Sequence, residues 1–178
     1  MRGVAGPVGA EAPEVTRVAV VADTHLPRGA RRLPESCLAE LRAADLILHA
    51  GDVTTAAVLD ELAALGPPVA AVFGNVDDAE LRARLPERRV VEVEEARIGM
   101  VHVPGPRRGR EERLAAWFPG CAAVVYGHTH LPQVERHGGC WILNPGSPTE
   151  RRRSAGHTMI VLDVSGAAVE PRLLELAA

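Results

Sequence analysis

Apolar runs rich in β-branched residues alternate with amphipathic stretches over the first half of the chain. A short apolar run bounded by turn residues is typical of a buried strand, whereas apolar positions three or four residues apart are typical of a helix. Three buried strands are predicted on this basis, at 18–23, 45–52 and 69–75. One helix is predicted after each of them, at 35–43, 54–65 and 79–85. This alternation predicts an α/β architecture.

The pattern of the second half predicts strands in succession, with one short helix at 111–117. The strands are predicted at 88–94, 97–103, 121–130, 133–137, 140–143, 157–164 and 168–174. Gly138-Gly139 suits a tight hairpin turn, because glycine adopts positive φ without strain. The first 16 residues lack either pattern, so we expect a flexible tail at 1–16 and one domain at 17–178.

The composition is that of an ordinary globular protein, with 47% hydrophobic and 24% charged residues. A net charge of −3 gives no overall attraction to nucleic acid, and no apolar run reaches the ~20 residues of a transmembrane helix. We therefore expect neither nucleic acid nor a membrane as a partner.

Cys37, Cys121 and Cys140 fit no disulfide framework, so reduced thiols and a cytoplasmic location are expected. Unpaired strand edges leave homo-oligomer formation open.

Polar side chains end several of the predicted strands. Asp23-Thr24-His25, Gly51-Asp52 and Gly74-Asn75 follow the first three strands, at the edge where an open α/β sheet binds its ligands. His102 and Gly127-His128-Thr129-His130 end two later strands in the same way. Seven donors are thus predicted to converge on one rim: Asp23, His25, Asp52, Asn75, His102, His128 and His130. Oxygen and imidazole donors without a thiolate suit borderline or hard divalent ions such as Mn²⁺, Fe²⁺ or Zn²⁺. They do not indicate a closed structural zinc site.

The spacing within these motifs adds to the metal hypothesis. The Asp-x-His pair at 23–25 and the His-x-His pair at 128–130 would each place alternate side chains on one side of an extended segment, so that one residue from each pair can share an ion. Asp52 lies between them in the chain, and its carboxylate can bridge two ions, which repel at about 3.5–4 Å unless a shared anion neutralises them. As an alternative, Asp23, Asp52 and Asn75 would be helix caps or turn residues.

Six motifs in a fixed order carry a resemblance to a known family. They are DTH at 23–25, GD at 51–52, GNVD at 74–77, His102, GHTH at 127–130 and NPGS at 144–147. The chain from about Arg17 to Leu174 resembles the calcineurin-like metallophosphoesterases, and specifically their small bacterial and archaeal phosphodiesterase branch, the YfcE-like family. The resemblance implies two mixed β-sheets packed as a sandwich and flanked by helices. It also implies hydrolysis of a small phosphoester, with a phosphodiester favoured, by in-line attack of a hydroxide held between two metal ions.

The resemblance also implies roles for individual residues. One metal would be held by Asp23, His25, Asp52 and His130, and the other by Asp52, Asn75, His102 and His128. Asp52, Asn75 and His102 would form the catalytic group. Asp77 would orient a ligand or its loop, and Arg107 and Arg108 would contact phosphate oxygens, which guanidinium forks match. Mn²⁺ is the favoured metal, with Fe²⁺, Zn²⁺ and Ni²⁺ as alternatives.

Two positions depart from the family's pattern. Many members of the wider superfamily have a histidine after the Asn that acts on the leaving group, whereas this chain has Val76. Its smaller branch usually has glycine after the histidine of the fifth motif, whereas Val103 follows His102 here. A β-branched residue restricts the backbone, so we expect either an altered second metal site or a loop reshaped by Pro104-Gly105.

Less specific interpretations remain beside these. Single histidines at strand ends are more often structural than metal-binding, and His49, His137 and His157 are interpreted in that way. Asn144 of the NPGS motif is expected to support the site.

The alternative function is a non-catalytic interaction scaffold, because a retromer subunit shares the fold of these enzymes. A nucleotidyltransferase is disfavoured, since its His-x-Gly-His signature opens a helix, unlike the segment at 127–132.

Overall fold

The structure is a computed structural model and describes residues 15–177. Residues 1–14 and 178 lie outside the described residues, and with them most of the tail predicted at 1–16. The strands are β1 (Thr16–Val21), β2 (Leu46–His49), β3 (Val69–Ala71), β4 (Arg88–Val93), β5 (Ala96–Val101), β6 (Ala123–Tyr126), β7 (Gln133–His137), β8 (Cys140–Asn144), β9 (His157–Ser165) and β10 (Ala168–Leu176). The helices are α1 (Glu35–Arg42), α2 (Ala56–Ala63), α3 (Ala79–Arg84) and α4 (Arg110–Trp117). Within 15–177, no helix is both long enough and apolar enough to cross a membrane.

Within residues 15–177, the strands form two mixed sheets of five strands each. The first sheet has the order β10-β9-β1-β2-β3, and the second has the order β4-β5-β6-β8-β7. Strands β1, β2 and β3 run parallel in the first sheet, as do β5, β6 and β8 in the second. The fold expected from the resemblance, two mixed sheets with flanking helices, is therefore confirmed.

The sheets pack face to face, and helices cover their outer faces. In β1, Val18 and Val20 point into the apolar core between the sheets, whereas Ala19 and Val21 pack against α1 on the other side. All four side chains are fully buried, which explains why this strand is a continuous apolar run rather than an alternating one. On the second sheet, Leu114 of α4 packs on the outer face in the same manner.

Each predicted strand and helix is present, but several strands end earlier than the apolar pattern indicates. The strand predicted at 121–130 ends at Tyr126, and the one predicted at 69–75 ends at Ala71. The residues beyond these ends leave the sheet and build the loops of the candidate site. The turn prediction is confirmed, because Gly138 and Gly139 join β7 and β8 with φ of 55° and 88°. Asp78 caps α3, accepting the Leu81 N–H at 2.8 Å.

Candidate metal centre

The seven predicted ligands lie together where the carboxyl ends of the parallel strands of both sheets meet. Four of them follow strands of the first sheet: Asp23 and His25 after β1, Asp52 after β2 and Asn75 after β3. Three follow strands of the second sheet: His102 after β5, and His128 and His130 after β6. The site therefore spans both sheets, and neither sheet carries the full set.

Five of these seven residues have a left-handed backbone, with φ of 56° at Asp23, 46° at His25, 57° at Asp52, 69° at His128 and 57° at His130. This conformation is uncommon for residues other than glycine, and residues that adopt it cluster at functional sites. The prediction that the 23–25 and 128–130 pairs lie on extended segments is thus wrong. Their side chains converge because the backbone turns at each ligand.

On one side of the site, the Asp23 carboxylate faces the Nε2 atoms of two stacked imidazoles. The rings of His25 and His130 have centroids 5.1 Å apart, and their Nε2 atoms are 3.2 Å apart. Asp23 Oδ1 lies 3.3 Å from His130 Nε2 and 3.9 Å from His25 Nε2. These three side chains place one ligand atom each within 4.8 Å of one another.

On the other side, Asp52 and Asn75 face His102. Asp52 Oδ2 is 3.2 Å from His102 Nε2, and Asn75 Oδ1 is 3.0 Å from the same atom. Asn75 Oδ1 also lies 2.8 Å from His128 Nδ1. Asp52 Oδ2 is 3.6 Å from His25 Nε2 as well, so a single carboxylate oxygen lies between the two sides of the site.

Asp23 also reaches both sides. With Asp52 and His102 it forms a second group of three side chains whose ligand atoms lie within 4.8 Å of one another. The backbone N–H of His128 donates to Asp23 Oδ2 at 2.9 Å, which fixes the carboxylate between the sheets. The sequence indicated only Asp52 as a shared carboxylate.

Backbone carbonyls orient two of the histidines. His102 Nδ1 donates to the carbonyl of Ala50 at 2.8 Å, and His130 Nδ1 donates to the carbonyl of Glu150 at 2.7 Å. Because a carbonyl only accepts, each Nδ1 carries a proton, and in its neutral form each ring would present its Nε2 lone pair to the site. Hydrogen bonds of this kind set the orientation of metal-binding histidines in other proteins.

The charges within the site shift the pKa values of its members. Burial alone would raise the pKa of Asp52, but the hydrogen bond and charge of His102 and the Val76 N–H bring it down to about 2. Burial would lower the pKa of His102, but Asp52 and Asp23 more than offset this and raise it. The pKa of His130 is raised in the same way, by Asp23. The carboxylates of Asp23 and Asp52 therefore stabilise a positive charge in the space between them.

The arrangement fits divalent metal ions. Carboxylate and amide oxygens face imidazole Nε2 atoms at 3.0–3.3 Å, although all of these atoms are acceptors when the rings are neutral. Acceptors at this distance repel one another unless a proton or a cation lies between them. Two carboxylates, one amide oxygen and four imidazoles, with no thiolate, form a donor set that suits borderline and hard divalent ions.

Glycines allow the ligand loops to approach one another. A Cβ on Gly74 would lie 2.0 Å from Asp52 Oδ1 and 2.3 Å from the Asp52 backbone nitrogen. Side-chain contacts this short do not occur, so only glycine fits beside Asp52 at this position. The GN motif thus brings the loop after β3 against the loop after β2.

Two residues expected to support the site make the contacts that such a role needs. Asp77 Oδ2 accepts the Gly74 N–H at 2.7 Å, and Asp77 Oδ1 accepts the Thr54 N–H at 2.6 Å. Asn144 Nδ2 donates to the carbonyl of Gly127 at 3.1 Å. These side chains hold the loops that carry Asn75, Asp52 and the GHTH motif.

Two residues that the sequence did not indicate also contact the site. Glu150 orients His130 through its carbonyl, and its carboxylate lies 3.8 Å from His25 Nε2. Arg82 of α3 donates to the carbonyls of Asn75 at 2.8 Å and Asp77 at 3.0 Å. Glu150 follows the NPGS motif by three positions, and that was the one available signal for it.

The remaining predicted positions lie around the site. Arg107 and Arg108 are exposed, and Arg107 lines a cavity that also includes Thr129 of the GHTH motif. Their role in phosphate binding stays a prediction. Val103 does not have positive φ, and its side chain is 44% exposed. Valine in place of the family's usual glycine after His102 therefore does not strain the backbone through a positive φ.

Of the three histidines interpreted as structural, His49 lies next to the predicted ligand set, because it contacts Thr24 between Asp23 and His25. His49 is fully buried and pairs through Nε2 with Thr24 Oγ1 at 3.1 Å. Burial lowers its pKa to about 3, so it is neutral at physiological pH. His137 and His157 belong to β7 and β9, and their side chains are exposed and partly buried, respectively.

Comparison with known proteins places this geometry in context. The family model described as the calcineurin-like phosphoesterase superfamily domain matches residues 16–167. A protein named probable metallophosphoesterase from Methanothermobacter thermautotrophicus is 34% identical over 163 residues, which are 90% of this chain and 93% of that protein. Another probable metallophosphoesterase, from Methanocaldococcus jannaschii, is 38% identical over 138 residues, or 76% of this chain and 69% of that protein.

Solved structures show the same fold. The crystal structure of Vps29 complexed with Zn²⁺ from Entamoeba histolytica has a TM-score of 0.70 to this chain. It is 23% identical, with 90% of this chain and 99% of that chain covered. At this identity the likeness concerns the fold.

Proposed function

The chain belongs to the calcineurin-like phosphoesterase superfamily, and on this basis we propose that it is a metal-dependent phosphodiesterase with a two-metal centre. The observation that carries the proposal is the position of Asp52 Oδ2, 3.6 Å from His25 Nε2 and 3.2 Å from His102 Nε2. A carboxylate oxygen between two groups of imidazoles is suited to bridge two cations, because it lowers their mutual repulsion.

In this proposal, Asp52 would be a ligand of both ions. One ion would be held by Asp23, His25, Asp52 and His130, and the other by Asp52, Asn75, His102 and His128. When bound, the ions supply an activated water and neutralise charge on the phosphoryl oxygens. Mn²⁺ is the favoured metal, and Fe²⁺, Zn²⁺ and Ni²⁺ remain alternatives because the same donor types bind all of them.

The side chains of the site differ in exposure, and this favours one direction of substrate approach. Asp23, His25, Asp52, His102 and His130 are buried, whereas Asn75 and His128 are exposed. A phosphoester therefore approaches over Asn75 and His128. Val76 offers no proton to the leaving group, so esters of acidic alcohols, which leave without protonation, are expected to react fastest.

The second candidate function is an interaction scaffold, and the likeness to the Vps29 structures favours it at the level of fold. A scaffold has no need of a complete ligand set, whereas this chain has an Asp, Asn or His at all seven positions. Catalysis is therefore the better-supported proposal. We also propose a cytoplasmic location, supported by three free, buried cysteines.

Hydrolysis of bis(p-nitrophenyl) phosphate with Mn²⁺ tests the function directly. The p-nitrophenolate group leaves without a general acid, so the absence of a titratable side chain at position 76 does not limit the assay. Asp52→Asn should lower turnover at least about a hundredfold, because an amide oxygen bridges two cations poorly. Asp60→Asn is the matched control, since Asp60 is exposed on α2 and pairs with Arg84.

The outcomes separate the two candidate functions. Turnover that needs Mn²⁺ and is lost in Asp52→Asn but kept in Asp60→Asn supports the phosphoesterase. Faster hydrolysis of bis(p-nitrophenyl) phosphate than of the monoester p-nitrophenyl phosphate supports the diester preference. A metal-loaded protein that hydrolyses neither ester would contradict the proposal and favour the scaffold.

A further inference from the structure

A small cavity of about 140 Å³ opens directly beside the candidate metal centre. Two predicted ligands, Asn75 and His102, form part of its lining. A larger cavity of about 420 Å³ beside Leu26 and one of about 480 Å³ beside Arg107 include no predicted ligand in their linings. A phosphoryl group bound at the centre would therefore carry one of its ester groups into or next to the 140 Å³ cavity.

The walls of this cavity suit a flat, uncharged group. The Arg82 guanidinium lies over the Phe73 ring, 5.0 Å from its centroid, and Val103 forms an apolar wall. Two hydrogen bonds, to the carbonyls of Asn75 and Asp77, hold the guanidinium in place. Guanidinium and aromatic faces both stack on planar rings. Glu87 lines the same cavity and carries the opposite charge to Arg82.

Apolar side chains also surround the centre at its surface. Val76, Val103 and Leu131 each directly follow a predicted ligand in the chain, and they are 46%, 44% and 44% exposed. Large apolar side chains grouped around a polar centre often mark a surface that a ligand covers. An ester group that packs on Val103 would remove part of this surface from water.

Building on the phosphoesterase function proposed above, we propose that the cavity lined by Phe73, Arg82 and Val103 binds one planar aromatic ring of the substrate. We call it the ring subsite. Its volume of about 140 Å³ matches a single six-membered ring, since a cavity of roughly 150 Å³ holds one benzene molecule. The preferred substrates are then phosphodiesters with an aryl group or a single-ring base, rather than simple alkyl diesters.

A binding measurement tests the ring subsite without requiring turnover. Phenylphosphonate and methylphosphonate carry the same anionic group and differ by the ring, so the ratio of their dissociation constants isolates the ring's contribution. In calorimetric titrations of the Mn²⁺-loaded protein, we expect phenylphosphonate to bind roughly tenfold more tightly, as burial of one ring implies. Val103→Ser should reduce that ratio roughly threefold, because it removes an apolar wall.

Val90→Ser is the matched control. Val90 is 39% exposed on β4 and is absent from the cavity lining, so this variant should keep the wild-type ratio. Phe73→Leu should reduce the ratio as Val103→Ser does, since it removes the ring under Arg82. A wild-type ratio near one, or a ratio unchanged in both Val103→Ser and Phe73→Leu, would overturn the ring subsite and leave the phosphoesterase function intact. Failure of both phosphonates to bind would instead contradict the proposed function, and the ring subsite with it.

Discussion

One carboxylate oxygen of Asp77 accepts the backbone N–H of Thr54 at 2.6 Å, and this bond joins the loop after β3 to the loop after β2. The other oxygen accepts the Gly74 N–H at 2.7 Å. Asp77 thereby sets the position of Asn75 relative to Asp52, although it is not itself a predicted ligand. Because both of its oxygens accept from backbone N–H groups, only an ionised carboxylate satisfies the two bonds fully.

Asp77→Asn should therefore weaken metal binding without removing a ligand. An asparagine turns one acceptor into a donor that faces an N–H, which costs about 1–3 kcal/mol of folding free energy. We expect Mn²⁺ affinity to fall about ten- to hundredfold, as for other residues that orient ligands. Titration calorimetry measures this effect. Asp78→Asn is the control, because asparagine still caps α3, and equal affinities in the two variants would refute the role of Asp77.

Gly74→Ala should disrupt the site more severely than its size suggests. The added Cβ would lie 2.0 Å from Asp52 Oδ1, so one of the two loops must move. We expect a loss of about 2–3 kcal/mol in urea unfolding, together with loss of Mn²⁺ binding. Gly156→Ala makes the same chemical change where a Cβ meets nothing within 4 Å. A Gly74→Ala protein that binds Mn²⁺ as the Gly156→Ala protein does would show that the close approach is unimportant.

The left-handed backbone at His128 predicts a trade between stability and function. His128 is exposed and has φ of 69°, so its side chain adds little packing while its backbone is strained. His128→Gly and His128→Ala both remove the ligand, but only glycine adopts this φ without strain. The glycine variant should therefore be about 1 kcal/mol more stable than the alanine variant in EDTA. Equal melting temperatures for the two variants would mean that the conformation stores no strain.

His49 predicts how the stability of the metal-free protein depends on pH. Burial holds its folded pKa at about 3, compared with 6.5 for an ordinary histidine, so the unfolded chain binds more protons between these values. The contribution of His49 to stability is complete above pH 6.5 and declines as the pH falls towards 3. In EDTA, the free energy of unfolding should therefore fall by up to about 3 kcal/mol between pH 7 and pH 4.

His49→Gln should flatten that dependence, because glutamine does not titrate and can still pair with Thr24. Urea unfolding of both proteins across the pH range measures the difference. His137→Gln, on the exposed strand β7, controls for removal of a surface imidazole. If His49→Gln retained the full wild-type slope, the buried imidazole would not be its source.

The sequence predicted the order of the elements because burial leaves a local trace. The apolar run of β1 reflects a strand covered on both faces, and Gly138-Gly139 supplies the two positive φ values that the hairpin turn between β7 and β8 requires. The identity of the candidate ligands followed from the same logic, since strand ends that share a sheet edge bring their polar residues together.

The sequence did not predict how the ligands converge. Extended geometry was expected at Asp23, His25, His128 and His130, whereas each has positive φ. Nothing local signals this conformation, because contacts across the fold impose it: His25 and His130 meet although they are 105 positions apart. Glu150 was missed for a related reason, since its carbonyl rather than its side chain orients His130.

The division of the site between the two sheets connects metal binding to the docking of one sheet on the other. Asp23, His25, Asp52 and Asn75 belong to loops of one sheet, and His102, His128 and His130 to loops of the other. An ion bound by residues of both sheets binds only when the two sheets are packed in their native arrangement. By thermodynamic linkage, its binding free energy therefore stabilises the packing of one sheet on the other. A substitution deep between the sheets, such as at Met100, would then weaken metal binding without touching a ligand.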